Sequence, residues 1–381
     1  MHLDELRGKI DQIDDELLHL FEERMRAVAE VAAYKEEQDL PVVDKKRESE
    51  KLGAIAEKVS PELEAYAHIF FDTLFELSRS QQVAARKEHA SLTGEIQAAI
   101  AHTPNLFPKS ASVACQGVEG AYSQLAAERL FQRSNIKYFK TFDSVFSAIE
   151  NGFCDYGVLP LENSTAGSVT KIYNLMQNRN FKIVRSVRLK IDHTLAAPRG
   201  VKREDIREIF SHEQAISQCA GFLEQFGPEV QVTLCENTAA AAEAVARSGR
   251  QDAAAICSHH CVGLYDLNCL ARDIQDRSNN YTRFICISKR LEIYPGADRT
   301  SMMLVLPHRP GSLYKALARF YALGINLNKL ESRPLPDRDF EFMFYFDLET
   351  SVYAEEFAGL LDSLGEICEE CKYLGSYTEV I

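Results

Sequence analysis

Residues 3–34 carry one apolar stripe that a small globular core could not cover by itself. Leu3, Leu6, Ile10, Ile13, Leu17 and Leu20 follow alternating steps of three and four residues, and Ala27, Val31 and Tyr34 extend the same heptad seam. A helix through this whole stretch would be about 50 Å long. Two shorter helical stretches follow, over about 44–58 and 61–88, with Pro41 and Pro61 as punctuation. Three helices of such unequal length cannot cover one another's apolar faces. The expectation is an all-helical, intertwined domain over residues 1–90, completed by a second copy of the chain.

The seam has one misplaced charge. Arg24 stands where an apolar residue belongs, which is costly unless an anion compensates it. Lys35 lies about three turns further on, on the same face. Arg7 is about 40 Å from Lys35 along the helix, so one small ligand meets both only if Arg7 comes from the other chain. The segment "VVDKKRESE" sets Asp44, Arg47 and Glu48 on one face of a helix start, and Ser78 and Gln82 share a face one turn apart.

A formal charge of −13 argues against nucleic acid or an anionic membrane as the main partner, yet leaves small anionic substrates open wherever Arg and Lys gather. No apolar run approaches the roughly 20 residues of a membrane span, and the charged, periodic N-terminus reads as neither signal nor transit peptide. A cytoplasmic protein is expected. The ten Cys form no framework. Cys257, His259, His260 and Cys261 look metal-like at first, as does the Cys368/Cys371 pair, but the cysteines read as buried free thiols in a reducing compartment. Neither metal nor cofactor is expected.

Residues 91–110 have the Gly, Pro and polar content of a linker. From Ala111 to about 290, short strands such as "DYGVLPL", "AAAICS" and "RFICIS" alternate with helical stretches over 121–133, 142–151, 213–226 and 237–248. This is an α/β region of one domain or two lobes. Residues 299–381 spell β-α-β-β-α-β, the ferredoxin-like order. Within the α/β region, polar residues collect at strand ends: Glu162, Asn163, Ser164 and Thr165 in "PLENSTAGSV"; Ser211, a helix N-cap candidate, and Gln218 in "SHEQAISQC"; Thr282 and Arg283 in "NNYTRF". "GVEGAYSQ" (117–124) lacks the spacing of a dinucleotide loop.

Three resemblances organise these residues. The polar set over residues 3–85 resembles, position by position, the active site of the all-helical chorismate mutases. This implies a unimolecular rearrangement of chorismate to prephenate, needing only a compact bound conformer and stabilised charge on the ether oxygen. By that resemblance Arg24, Lys35 and Arg7 of the partner subunit clamp the two carboxylates. Lys35 and Gln82 face the ether oxygen. Glu48, with Asp44 and Arg47, holds the ring hydroxyl, and Ser78 completes the pocket. "LENS", "SHEQAISQC" and "NNYTRF", in that order, resemble the prephenate dehydratases over about 111–290. This implies two α/β lobes around a cleft, like a periplasmic binding protein, with the strand after Tyr281 returning to the first lobe. Thr282 is then the hydrogen-bond donor to the leaving hydroxyl, with Glu162 a rival proton source. Asn163, Ser211 and Gln218 are polar positioners, Ser164 and Thr165 line the substrate site, and Arg283 either meets a carboxylate or is structural.

Residues 309–334 resemble an ACT domain. That resemblance implies L-phenylalanine held at Gly311, Ser312 and Leu313 and at Glu331, Ser332 and Arg333, although Ser312 and Tyr314 depart from the family pattern. Together the three imply both activities on one chain of phenylalanine biosynthesis, feedback-regulated, in a homodimer or a pairing of dimers. A fusion with prephenate dehydrogenase would need an NAD fingerprint, and none is present. A non-catalytic amino-acid sensor would leave the N-terminal polar set unexplained.

Overall fold

The computed structural model describes residues 3–38, 40, 45–84, 91–335 and 341–381. Asp44 lies outside the described residues. The chain forms two compact units, Met1–Ala98 with Met302–Lys372, and Ala99–Ser301 with Tyr373–Ile381. Among the described residues no helix is long and apolar enough to cross a membrane.

The first unit opens with α1 (Leu3–Glu37), α2 (Lys45–Ala56) and α3 (Glu64–Ala84). Asp4 and Glu5 in the first turn of α1 and Lys35 in its last complement the helix dipole. Both α1 and α2 pack on α3, but α1 buries only Ala32. Leu3, Ile10, Ile13 and Leu20 remain 56–59% exposed, so the seam is uncovered in a single chain. The stretch read as a linker contains a twelve-residue helix, α4 (Ser91–His102). Thr93, Ile96 and Ala99, three residues apart, are its buried stripe, and this short period was masked by Gly94 and the polar flanks.

The same unit holds most of the ferredoxin-like module. It runs β-α-β-β-α-β through Arg299–Val305, Ser312–Ala322, Asn326–Pro334, Phe342–Glu349, Glu356–Ile367 and Glu370–Tyr377. Its sheet order by sequence is second, third, first, fourth. Gly311 takes φ +84° as the N-cap of the first helix, a conformation favoured by glycine.

The second unit begins with β1 (Ser110–Gln116), α5 (Tyr122–Leu130), β2 (Arg133–Phe139), α6 (Phe142–Glu150), β3 (Tyr156–Asn163), β4 (Gly167–Ser168), α7 (Thr170–Asn178) and β5 (Lys182–Lys190). After two residues the chain enters a second lobe: β6 (His193–Ala197), β7 (Glu208–Ser211), α8 (Glu213–Gln218), α9 (Ala220–Leu223), β8 (Gln231–Leu234), α10 (Thr238–Ser248), β9 (Ala253–Ser258), α11 (His259–Leu264) and β10 (Asn268–Ala271). It returns as β11 (Tyr281–Ser288), antiparallel to both β3 and β5. The return predicted after Tyr281 is thus present. Each lobe has its own sheet, and the chain crosses between them twice.

Local chemistry explains the second lobe. Asn237 caps α10 by accepting the Ala240 N–H at 2.8 Å, and Gly249 ends it at φ +66°. Ala239, Ala241 and Ala242 then pack on Ala253 and Ala255 of β9, where small side chains let helix and sheet approach. Cys257 and Cys261 are buried in this same cluster. The helix expected over 213–226 breaks at Cys219 into α8 and α9.

The module expected over 299–381 ends at Tyr377, the last residue of its fourth strand. Tyr373–Ile381 cluster with the second unit, where Glu379–Val380, here β12, pairs in parallel with β5 at the edge of the large sheet. Gly375 sits against β5 at φ +141°, with Ile183 O only 2.2 Å from where a Cβ would be. Glu379 pairs with Arg188 and, at 3.9 Å, with Arg299.

Candidate active sites

In the first unit, Arg24 leaves the α1 seam to meet α3. Its guanidinium donates to Ser78 Oγ at 2.6 Å and to Leu74 O at 3.3 Å. Burial holds its pKa below the ordinary value. Ser78 and Gln82 are both buried on one face of α3, and Gln82 Oε1 has no hydrogen-bond partner among the described residues. Lys35 is half-buried near the end of α1, Arg47 is exposed, and Glu48 is half-buried. Arg7 is exposed and pairs with Asp4 at 3.6 Å, far along the helix from Arg24 and Lys35.

The partner of Glu48 is Arg79, a residue that the sequence did not single out. Buried Arg79 bridges Glu48 and Glu76. Burial works against its charge, but the two carboxylates outweigh that and hold its pKa above the ordinary value. Glu76 also receives Arg319 at 3.1 Å and Lys315 at 3.4 Å, both from the first helix of the ferredoxin-like module. Gly311, Ser312 and Leu313 start that helix. Glu331, Ser332 and Arg333 lie on the module's edge strand, where Arg333 and Glu331 pair at 3.9 Å.

In the second unit, the two lobes enclose a cavity of about 480 Å³ lined by Gln116, Ser123, Asn163, His193, Gln218 and Thr282, among others. This is an ordinary size for a small-molecule site. The register of β3 on β11 sets Thr282 directly opposite Asn163 and Arg283 opposite Glu162. Because side chains alternate along a strand, the first pair faces the cavity and the second faces away. Asn163 Nδ2 donates to Thr282 Oγ1 at 2.9 Å and to Asn280 Oδ1 at 2.8 Å. Gln218 joins from the second lobe: its Oε1 accepts from Asn280 Nδ2 at 3.0 Å, and its Nε2 donates to Thr165 Oγ1 at 3.0 Å. Ser164 anchors the loop before β11, donating to Asn279 O at 3.0 Å and accepting the Tyr281 N–H at 2.9 Å.

Three positions bear on those expectations. Arg283 and Glu162 form an ion pair at 2.7 Å away from the cavity. That geometry agrees with the structural reading of Arg283, and neither Arg283 nor Glu162 lines the cavity. Ser211 does not cap α8. It is fully buried and donates to Ile256 O at 2.7 Å, while His212 Nδ1 accepts the Gln214 N–H at 3.3 Å. His193 and Asn280, which the sequence reading passed over, belong to the network. Asn280 adjoins "YTRF", but His193 is brought in only by the crossing from β5 to β6.

Known proteins share this organisation. Residues 113–292 match the family described as prephenate dehydratase, and residues 6–83 match chorismate mutase type II. The bifunctional chorismate mutase/prephenate dehydratase of Aquifex aeolicus (strain VF5) is 33% identical over 382 residues, covering 100% of this chain and 98% of that protein. Arogenate dehydratase/prephenate dehydratase 2 of Arabidopsis thaliana is 39% identical over 70% of this chain and 72% of its own length. The solved structure of prephenate dehydratase from Arthrobacter aurescens in complex with L-Phe aligns with a TM-score of 0.64 and 28% identity, covering 70% of this chain and 89% of that one.

Proposed function

The chain belongs to the bifunctional chorismate mutase/prephenate dehydratase family, and from that premise we propose how its residues divide the two reactions. It is an enzyme of phenylalanine biosynthesis that rearranges chorismate to prephenate and converts prephenate to phenylpyruvate.

For the mutase, Arg24, Lys35 and Arg7 of the partner subunit bind the substrate carboxylates. Lys35 and Gln82 stabilise the ether oxygen. Asp44, Arg47 and Glu48 hold the ring hydroxyl, and Ser78 orients Arg24. The uncovered seam of α1 supports a cytoplasmic homodimer as the working form, with dimers free to pair further. Gln82 Oε1, partnerless among the described residues, and the Arg24–Ser78 bond support a site prepared for a polar ligand.

For the dehydratase, the ring carboxylate leaves as carbon dioxide and its electron pair expels the C4 hydroxyl as hydroxide, which takes a proton from solvent to become water, and the ring becomes aromatic. Thr282 donates a hydrogen bond to the departing oxygen. Asn163 and Gln218 orient Thr282, Ser164 and Thr165 shape the substrate loop, and Ser211 braces the start of α8. The observation that carries this reading is the Asn163–Thr282 hydrogen bond at 2.9 Å inside the cavity between the lobes.

For control, residues 299–381 contain an ACT module. Backbone N–H groups at Gly311, Ser312 and Leu313 take the carboxylate of L-phenylalanine at a helix start. Glu331, Ser332 and Arg333 of the partner subunit supply the facing wall. The complex of the Arthrobacter aurescens protein with L-Phe supports this choice of effector. Adding chorismate to the purified chain and following prephenate and then phenylpyruvate, with and without phenylalanine, tests the whole scheme. Turnover that phenylalanine does not change would remove the regulatory part alone.

A further inference from the structure

The direction of every hydrogen bond around Thr282 follows from two backbone groups. Asn163 Oδ1 accepts the N–H of Thr165 at 3.0 Å and of Ala166 at 2.9 Å. A backbone N–H can only donate, so that atom is the amide oxygen and the NH2 faces Thr282 and Asn280. Thr282 Oγ1 is therefore an acceptor from Asn163, and its own proton is left for the cavity. Asn280 turns its oxygen to Asn163, so its NH2 faces Gln218 Oε1. Gln218 Oε1 also lies 2.9 Å from His193 Nε2. Since that oxygen only accepts, His193 must carry its proton on Nε2.

His193 is the second-lobe end of this chain and is 2% exposed. Its Nδ1 is buried with no hydrogen-bond partner, consistent with an unprotonated nitrogen. Burial also lowers the imidazole pKa and favours the neutral ring. Without the Nε2 proton, Gln218 Oε1 keeps only Asn280 as a donor, and rotation of the Gln218 amide becomes competitive. A rotated Gln218 would set its NH2 against that of Asn280. Asn280 would then turn its NH2 against that of Asn163, which the Thr165 and Ala166 N–H groups hold in place, and the repulsion would displace the donor that positions Thr282 Oγ1.

We propose that His193 is a positioning residue of the dehydratase, acting through Gln218, Asn280 and Asn163 to hold the Thr282 hydroxyl in place toward the departing oxygen. The proposal rests on reading the cavity as the dehydratase site. It concerns orientation only, since His193 transfers no proton in this scheme.

The test uses full-length protein and initial rates of phenylpyruvate formation. His193→Phe should lower kcat about tenfold with KM little changed, the effect of one lost hydrogen bond. His193→Gln, whose amide nitrogen reaches the place of Nε2, should restore most of the rate. His193→Asn, which reaches only the place of Nδ1, should not. In a Gln218→Ala background His193→Phe should cost nothing further, because the two act in series. Unchanged kcat in His193→Phe, equal rates for the Gln and Asn variants, or additive losses with Gln218→Ala would each overturn the proposal. Mutase activity of the same samples reports folding. If His193→Phe does not fold, imidazole nitrogen resonances of the wild-type protein decide between an Nε2–H ring, as proposed, and an Nδ1–H ring, which refutes it. Thr282→Val measured alongside separates the two levels: a fully active Thr282→Val variant would sink the site reading itself, whatever the His193–Gln218 coupling.

Discussion

Replacing Thr282 by valine removes one hydroxyl and almost no volume, so it separates chemistry from packing. In the resting protein the hydroxyl accepts one bond from Asn163 Nδ2, at 2.9 Å. That NH2 retains Asn280 Oδ1 at 2.8 Å and Tyr281 O at 3.2 Å. No donor is orphaned, and the loss of stability should be about 1 kcal/mol or less. For a unit of this size that is a fall in Tm of about 2–4 °C. The transition state loses far more. A preorganised donor aimed at developing negative charge in a secluded cleft contributes about 10²–10³ in kcat. Thr282→Val should therefore lose about two to three orders of magnitude in phenylpyruvate formation, while chorismate consumption and the melting curve stay close to wild type. Thr282→Ser keeps the donor and should stay within about tenfold of the native rate. Initial-rate assays of both reactions on one preparation, with a thermal melt, give all the numbers. A Val variant that turns over prephenate at a near-native rate would refute the role given to Thr282. So would an equal loss of both activities, which would point to unfolding.

Arg7→Ala and Lys35→Ala should each be nearly inactive as mutases, whereas a co-refolded equal mixture should recover about a quarter of native activity, since random pairing gives half heterodimers with one intact site of two; no recovery despite demonstrated heterodimers would mean that the site is not shared. Gly311→Val, which forces a β-branched side chain onto φ +84°, should weaken phenylalanine binding by calorimetry about tenfold or more while leaving uninhibited turnover intact, and unchanged affinity in folded protein would exclude this loop as the effector site. Gly375→Ala places a methyl 2.2 Å from Ile183 O and should destabilise the second unit by about 3 kcal/mol or more in denaturant melts; a change under about 0.5 kcal/mol would show that the strand simply moves away.

The elements with long, regular periods were legible in the sequence. The α1 seam, the alternation of β11 and the β-α-β-β-α-β order of the module each repeat often enough to identify themselves. Short elements were not. The two-residue strand at Glu379–Val380 exists only because β5 offers an edge, and nothing in those two side chains encodes that. The break at Cys219 likewise interrupts what reads as one helix. In the candidate sites, Thr282 and Asn163 were legible because both sit in dense polar motifs at strand ends. Arg283 was left between two roles because it adjoins Thr282: one step along a strand reverses the face, and its partner across the ladder is Glu162. Arg79 and His193 had no local signal. Each becomes significant only through packing, of α3 against neighbouring helices for the first and of one lobe against the other for the second.

The pairing of Glu379–Val380 with the large sheet determines where this chain can be cut. A truncation intended to remove the ferredoxin-like module by stopping near residue 298 would also delete the edge strand that covers β5. The bare edge would then offer its unpaired N–H and C=O groups to other molecules, a route to aggregation. The ferredoxin-like module is thus an insertion rather than a tail, and a clean removal has to be internal. Thr300 and Ser376 touch through their hydroxyls at 2.6 Å, and Ser301 meets Tyr377 at 2.7 Å. The outgoing and incoming strands therefore already lie side by side, and a short turn joining Ser301 to Tyr373 would excise 302–372 while leaving the last strand in place.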